Sequence, residues 1–150
     1  MSNTFRHSAG FGKRMEYFII SRMLAEGLDV YIPLVDDFGI DAVLRKSGGT
    51  FIELQIKARS EDVKFGDAAL FAAITHEHRS NYYFIFYSDR MKKTWIMSSE
   101  DFVNEAVQNK TGKNIGKRSI WFNGKSTKQN SEHGHPRFDK YLHENFDVFK

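Results

Sequence analysis

The chain contains no cysteine, which excludes a disulfide scaffold, a thiolate zinc site and a cysteine nucleophile in one step. It has only 2 prolines, and no apolar run approaches the roughly 18 residues needed to cross a bilayer. Residues 1–10 lack the apolar stretch of a secretory signal, so a cytoplasmic protein without a membrane partner is expected. Acidic residues are missing from one long segment: nothing between Glu105 and Glu132 carries a negative charge. What is present is ample material for a core, with 14 Phe, 6 Tyr and 2 Trp in 150 residues, enough for one ordinary domain spanning 1–150.

The net charge of +3 is unevenly placed. Residues 1–50 hold six bases and six acids, and residues 51–100 hold seven of each. The last fifty hold nine bases against six acids, so the whole excess lies there. Lys110, Lys113, Lys117, Arg118, Lys125 and Lys128 all fall in the acid-free gap, a pattern that suits a polyanion such as DNA. Trp121 and Phe122 stand among these bases and are expected in the core as part of a strand, rather than stacked on bases. Arg59 is a further candidate phosphate contact.

Hydrophobic spacing predicts a first helix from about Phe11 to Glu26, with Met15, Phe18, Ile19 and Met23 inward and Gly27 as its stop. A short strand Val30–Ile32 follows, and then two strands, Ile40 to Arg45 and Thr50 to Ala58, joined through Lys46-Ser47-Gly48-Gly49. Asp67 to His78 reads as a helix, Asn81 to Tyr87 as a buried strand and Lys93 to Met97 as its hairpin partner. Ser99 would cap a helix reaching Gln108, with Phe102, Val103, Ala106 and Val107 inside. Ser119 to Phe122 reads as a strand, and a last helix from Pro136 would present Phe138, Tyr141, Leu142 and Phe146 on one side. The expected class is α/β: an N-terminal helix, a strand meander and flanking helices around a mixed β-sheet.

The segment Asp36-Asp37-Phe38-Gly39-Ile40-Asp41 and the strand Phe51-Ile52-Glu53-Leu54-Gln55-Ile56-Lys57 concentrate the chemistry. Strand alternation sends Ile52, Leu54 and Ile56 to one face and Glu53, Gln55 and Lys57 to the other. Ile40, Ala42 and Leu44 would share a face, with Asp41 on the opposite one. If the hairpin loop is Ser47-Gly48-Gly49, Asp41 lies level with Gln55; a loop of two or four residues would turn Asp41 away. Phosphodiester hydrolysis needs a divalent cation on the phosphate oxygens and an activated water. Carboxylate and amide oxygens are the hard ligands Mg²⁺ prefers, and a lysine beside them can stabilise developing negative charge.

These residues resemble the PD-(D/E)xK nuclease superfamily, whose restriction-endonuclease-like fold carries an acid on one strand and Glu-x-Lys on the next. Asp41 matches the first acid, and Gln55-Ile56-Lys57 matches the Gln-x-Lys variant found in Mrr-like restriction nucleases and some homing endonucleases of this fold. Gly39-Ile40-Asp41 is similar to the Mrr-like phrase, and Glu16 matches the glutamate that many relatives bring from the first helix. The resemblance covers residues 10–60 best. It implies a Mg²⁺-dependent DNA endonuclease, with Mn²⁺ as a substitute ion, and with Asp41, Gln55 and Glu16 as metal ligands. Lys57 would act on the water or the transition state, and Glu53 would assist. An alternative alignment takes Glu53-Leu54-Gln55 as the motif but loses the lysine. Double-strand cleavage by so small a unit implies a homodimer or homotetramer. The replacement of glutamate by Gln55 supports a different class, a non-catalytic DNA-binding protein on a nuclease fold. A structure-selective nuclease or an RNA nuclease would use the same chemistry.

Glu53 is equally read as the partner of an arginine, and Asp36 and Asp37 as turn residues before Gly39. His76-Glu77-His78 and His133-Gly134-His135 lack the spacing of a helical zinc site and are expected to be exposed. Gly112-Lys113-Asn114-Ile115-Gly116-Lys117 is one residue short of a phosphate loop and is followed by Arg118, so no nucleotide cofactor is expected.

Overall fold

The computed structural model describes residues 5–35, 37–124 and 132–150. Helix α1 (Phe5–Ala25) turns Met15, Ile19, Ile20 and Met23 into the core. Phe18, expected to face inward with them, is 42% exposed and packs only at the rim, its ring 5.6 Å from that of Tyr87. The helix begins six residues earlier than its apolar spacing predicts, because that spacing starts only at Phe11. It ends as expected: Gly27 adopts φ +83°, and the Leu28 N–H returns to the Met23 carbonyl at 3.1 Å, closing the last turn.

Strands β1 (Asp29–Tyr31), β2 (Ala42–Arg45) and β3 (Phe51–Arg59) form an antiparallel meander. After β4 (Leu70–Ile74), strand β5 (Tyr82–Ser88) lies parallel to β3, and β6 (Lys93–Ser98) pairs antiparallel with β5. The resulting mixed sheet has the order β1-β2-β3-β5-β6. Helix α2 (Ser99–Glu105), strand β7 (Val107–Gln108) and strand β8 (Arg118–Trp121) complete the regular elements, and a second sheet has the order β4-β8-β7.

The large sheet separates two cores. On one face Ile52, Leu54, Ile56, Ile85 and Ile96 meet α1. On the other, Phe84, Phe86, Trp95 and Met97 meet Phe71, Phe102, Ile120 and Phe122 from the small sheet and α2. The near-continuous apolar run of β5 is thereby explained: both of its faces are covered. Phe122, in the core as expected, stacks on Trp95 at 4.6 Å between ring centroids.

Three expected helices differ. Asp67–His78 is a turn followed by β4, not a helix. Its register shifts between Phe71 and Ile74, where Ala73 takes φ 57° and gives its N–H to Ser119 Oγ at 3.1 Å. That bulge spaces the buried residues Phe71 and Ile74 three apart and so imitates a helical period. Helix α2 is capped by Ser98, whose hydroxyl accepts from the Asp101 N–H at 3.1 Å, rather than by Ser99, and it stops at Glu105. Val107, expected inside, is exposed on β7. The C-terminal segment forms two 3₁₀ turns, Pro136–Tyr141 and Asp147–Phe149, instead of one helix. Phe138 and Tyr141 enter the aromatic core, while Phe146 and Phe149 enter the core under α1. Their helix-like spacing therefore serves two opposite faces of the sheet.

Candidate active site

The hairpin β2–β3 has the register that a three-residue loop requires. Ala42 pairs with Leu54 and Arg45 with Phe51, and the Lys46 N–H donates to the Thr50 carbonyl at 2.8 Å. Asp41, one residue before β2, is thereby level with Gln55. Its N–H donates to the Leu54 carbonyl at 2.8 Å, and its Oδ2 accepts from the Ile56 N–H at 2.7 Å. The carboxylate thus binds β3 where β2 has ended, which fixes it at the head of the strand. Phe38 and Gly39, at φ 52° and 66°, make the turn that swings the chain into this position. The same turn carries Ile40 out of the alternation: it packs against the aromatic core, not beside Ala42 and Leu44 as expected.

The pairing of β3 sets the direction of its polar face. Gln55 is opposite Phe84 and Lys57 opposite Phe86 in the parallel register, so both project to the side of the small sheet. Lys57 is half-buried there. Glu16 arrives from α1; with Asp41, Ile40 and Tyr17 it lines one small cleft. It also holds Lys13 in an ion pair at 3.0 Å. The structure therefore sets Asp41 level with Gln55, with Lys57 two residues further on the same face. Glu16 on α1 shares a cleft with Asp41 but not with Gln55, which projects from the opposite face of the sheet.

Glu53 takes the second of its two expected roles. Both its oxygens accept from Arg79 Nη2, at 3.1 and 2.9 Å, and Arg79 Nη1 donates to the Phe38 carbonyl at 2.8 Å. The same guanidinium lies 4.7 Å from the Tyr82 ring centroid. Arg59 is likewise engaged: its Nε donates to the Asp67 carbonyl at 3.2 Å.

Four participants, Tyr82, His76, Ser99 and Arg79, join the site without a signal of their own in the sequence. Tyr82 Oη lies 2.5 Å from the Gly39 carbonyl oxygen and 3.0 Å from the Gln55 side-chain amide. Burial raises its pKa well above the ordinary phenol value, an effect that Arg79 opposes and Asp41 reinforces, so the hydroxyl stays protonated. His76, expected exposed, is buried: it stacks on Tyr82 with centroids 5.0 Å apart and shares a 2.7 Å hydrogen bond with Ser99 Oγ. Burial, then the positive charges of Arg79 and Arg118, lower its pKa from 6.5 to about 4, so the ring is neutral at pH 7. Ser99 Oγ also accepts from the Arg79 N–H at 2.9 Å. Only the aromatic enrichment around Tyr82 marks this cluster in the sequence, and that enrichment equally fits an ordinary core.

Lys110 and Lys113 are exposed in the β7–β8 loop, Lys117 and Arg118 are half-buried, and Arg118 Nε donates to the His76 carbonyl at 3.4 Å. Lys125 and Lys128 lie outside the described residues. Among the described residues no group of three or more His, Cys, Asp or Glu side chains is placed to hold a metal ion. The candidate donors are therefore the Asp41 carboxylate and the Gln55 amide, with the Glu16 carboxylate in the cleft beside Asp41. That donor set is all hard oxygen and fits Mg²⁺, which takes one or two carboxylates and keeps several waters.

No protein-family model and no curated protein sequence matches the chain. Among solved structures, a bacterial homing endonuclease, I-Ssp6803I, is similar to it, with a TM-score of 0.56 and 19% sequence identity over 90% of this chain and 86% of that one. The mixed α/β fold with its N-terminal helix is therefore one that a homing endonuclease also has.

Proposed function

We propose that this protein is a metal-dependent DNA endonuclease of the homing or restriction type. The observation that carries the reading is the hairpin register, which sets Asp41 level with Gln55 and two residues from Lys57 on a fold shared with a homing endonuclease. Asp41, Gln55 and Glu16 would hold Mg²⁺ or Mn²⁺. When bound, the ion supplies charge against the phosphate oxygens and lowers the pKa of a coordinated water. Lys57, two residues beyond Gln55 on the same face, would offer its ammonium to the departing or developing negative charge. Glu53, committed to Arg79, braces the Phe38–Gly39 turn instead of ligating. The bases of the small sheet would track phosphates, and double-strand cleavage would need two copies of the chain.

A plasmid-nicking assay with Mg²⁺ tests this directly. Supercoiled DNA should be nicked by the unaltered protein, and Asp41→Ala and Lys57→Ala should each reduce the rate by at least about a hundredfold, as for loss of a general acid–base or charge-stabilising group. Equal trace activity in all three would leave the non-catalytic DNA-binding reading, which the neutral Gln55 favours.

A further inference from the structure

A tyrosine hydroxyl has one proton, and Tyr82 has two oxygen neighbours. Its Oη is 2.5 Å from the Gly39 carbonyl oxygen, a separation two oxygens hold only with a proton between them. The proton is therefore committed to Gly39. Gln55 Oε1, 3.0 Å from the same Oη, then meets only lone pairs. A half-turn of the amide, which leaves its shape unchanged, brings the NH₂ group there instead and gives those lone pairs a donor.

We infer that Tyr82 is the positioning residue of the site: by accepting from Gln55 Nε2 it turns the amide oxygen away from its own hydroxyl to serve as a ligand, and it selects glutamine over glutamate at position 55. This rests on the metal-site reading above. A carboxylate at 55 has no proton to give. It could be accommodated only by drawing the Tyr82 proton off Gly39, leaving two oxygens at 2.5 Å unbridged. Gly39 completes the device. A Cβ there would stand 3.2 Å from Tyr82 Oη and 3.3 Å from the Gln55 amide, so only glycine leaves the pair in place. The ring itself is held by the His76 stack and by the Arg79 guanidinium, so the hydroxyl is aimed independently of any ligand.

The pairing accounts for the motif's departure from its usual acid. A glutamate would add a charge to the metal shell, yet here the neighbouring phenol makes the neutral amide the better-oriented ligand.

Two readouts separate this inference from the metal reading. In the metal-free protein, the Gln55 side-chain amide resonance, assigned by its loss in Gln55→Glu, should move upfield in Tyr82→Phe; an unmoved resonance overturns the inference whatever the metal does. Mn²⁺ binding by calorimetry then compares the unaltered protein, Asp41→Ala, Tyr82→Phe, Gln55→Glu and the double variant. Tyr82→Phe should weaken binding about fivefold, the effect of losing one neutral hydrogen bond. Gln55→Glu should fail to tighten binding beside Tyr82 but should tighten it beside Phe, a dependence on background that a merely structural tyrosine would not give. Equal effects of Gln55→Glu in both backgrounds overturn the inference. Equal Mn²⁺ binding by the unaltered protein and Asp41→Ala instead overturns the metal reading, while the amide resonance still decides the hydrogen bond.

Discussion

Single residues at this site are held by geometry that their identity alone does not reveal. Gly39 has φ 66° and lies against Tyr82 and Gln55, so Gly39→Ala combines left-handed strain with an approach too close to relax freely. We expect a loss of about 1–2 kcal/mol in urea unfolding, together with a fall in nicking rate. His76 gives a separate, pH-dependent outcome. Its folded pKa of about 4 is below the unfolded 6.5, so the unfolded chain binds the proton more readily. Its contribution is fully present above pH 6.5 and is lost as pH falls towards 4, up to about 3 kcal/mol. Urea midpoints at pH 7 and pH 5 should therefore diverge, and the divergence should shrink in His76→Gln, which retains a hydrogen-bonding partner for Ser99. Identical pH dependence in the two proteins would remove His76 as the cause. The register that sets Asp41 level with Gln55, and Lys57 two residues on, is legible in the sequence because strand alternation and loop length are local facts. The roles of Tyr82, Arg79 and His76 are not, because each depends on a neighbour more than 20 residues away in sequence, such as Glu53 for Arg79.

Elements are legible where their period is undisturbed. The hairpin β2–β3 can be placed to the residue because two glycines set a loop length and one buried face sets the register. Strand β4 imitates a helix because its bulge changes a period of two into an apparent period of three or four. The C-terminal segment imitates one because a single helix-like set of aromatics is shared between two cores. In both cases tertiary partners outweigh local pattern. Those partners also predict where the fold is vulnerable. Phe122 is fully buried and joins the two sheets, with ring centroids 4.6 Å from Trp95, 5.2 Å from Phe86, 5.9 Å from Phe71 and 5.1 Å from Phe138. Phe122→Ala should cost about 3–5 kcal/mol. Chemical denaturation should show that loss, with Trp95 fluorescence reporting the opened stack. A change under about 1 kcal/mol, well below the usual cost of deleting a core ring, would mean that the small sheet is not anchored through Phe122.

At the scale of the whole molecule, the small net charge resolves into two regions of different balance. The acids of the first hundred residues balance the bases there, and Asp41 and Glu16 are among them, lining the cleft beside the hairpin. Among the described residues, Lys110, Lys113, Lys117 and Arg118 of the acid-free segment stand on the small sheet and its loop. Gln55 and Lys57 project to that same side of the large sheet, because they pair with Phe84 and Phe86, which pack under Ile120 and Phe122. Arg118 continues the connection by binding the His76 carbonyl, next to Tyr82. A duplex lying along the small sheet would thus present a phosphate towards the β3 face, with the exposed Lys110 and Lys113 holding its backbone. Such contacts release counterions and carry no base information, so their signature is a salt slope rather than a sequence preference. Replacing Lys110 and Lys113 together by alanine should lower the slope of log K against log salt by about 2, since each neutralised phosphate contributes about 0.9. Affinity should fall alike for unrelated duplexes, while Mn²⁺ binding at Asp41 stays unchanged because neither lysine belongs to the metal shell. Fluorescence anisotropy with two unrelated duplexes across a salt series measures this. An unaltered slope would place the DNA elsewhere on the molecule, and a fall confined to one duplex would make these lysines readers of sequence rather than holders of phosphate.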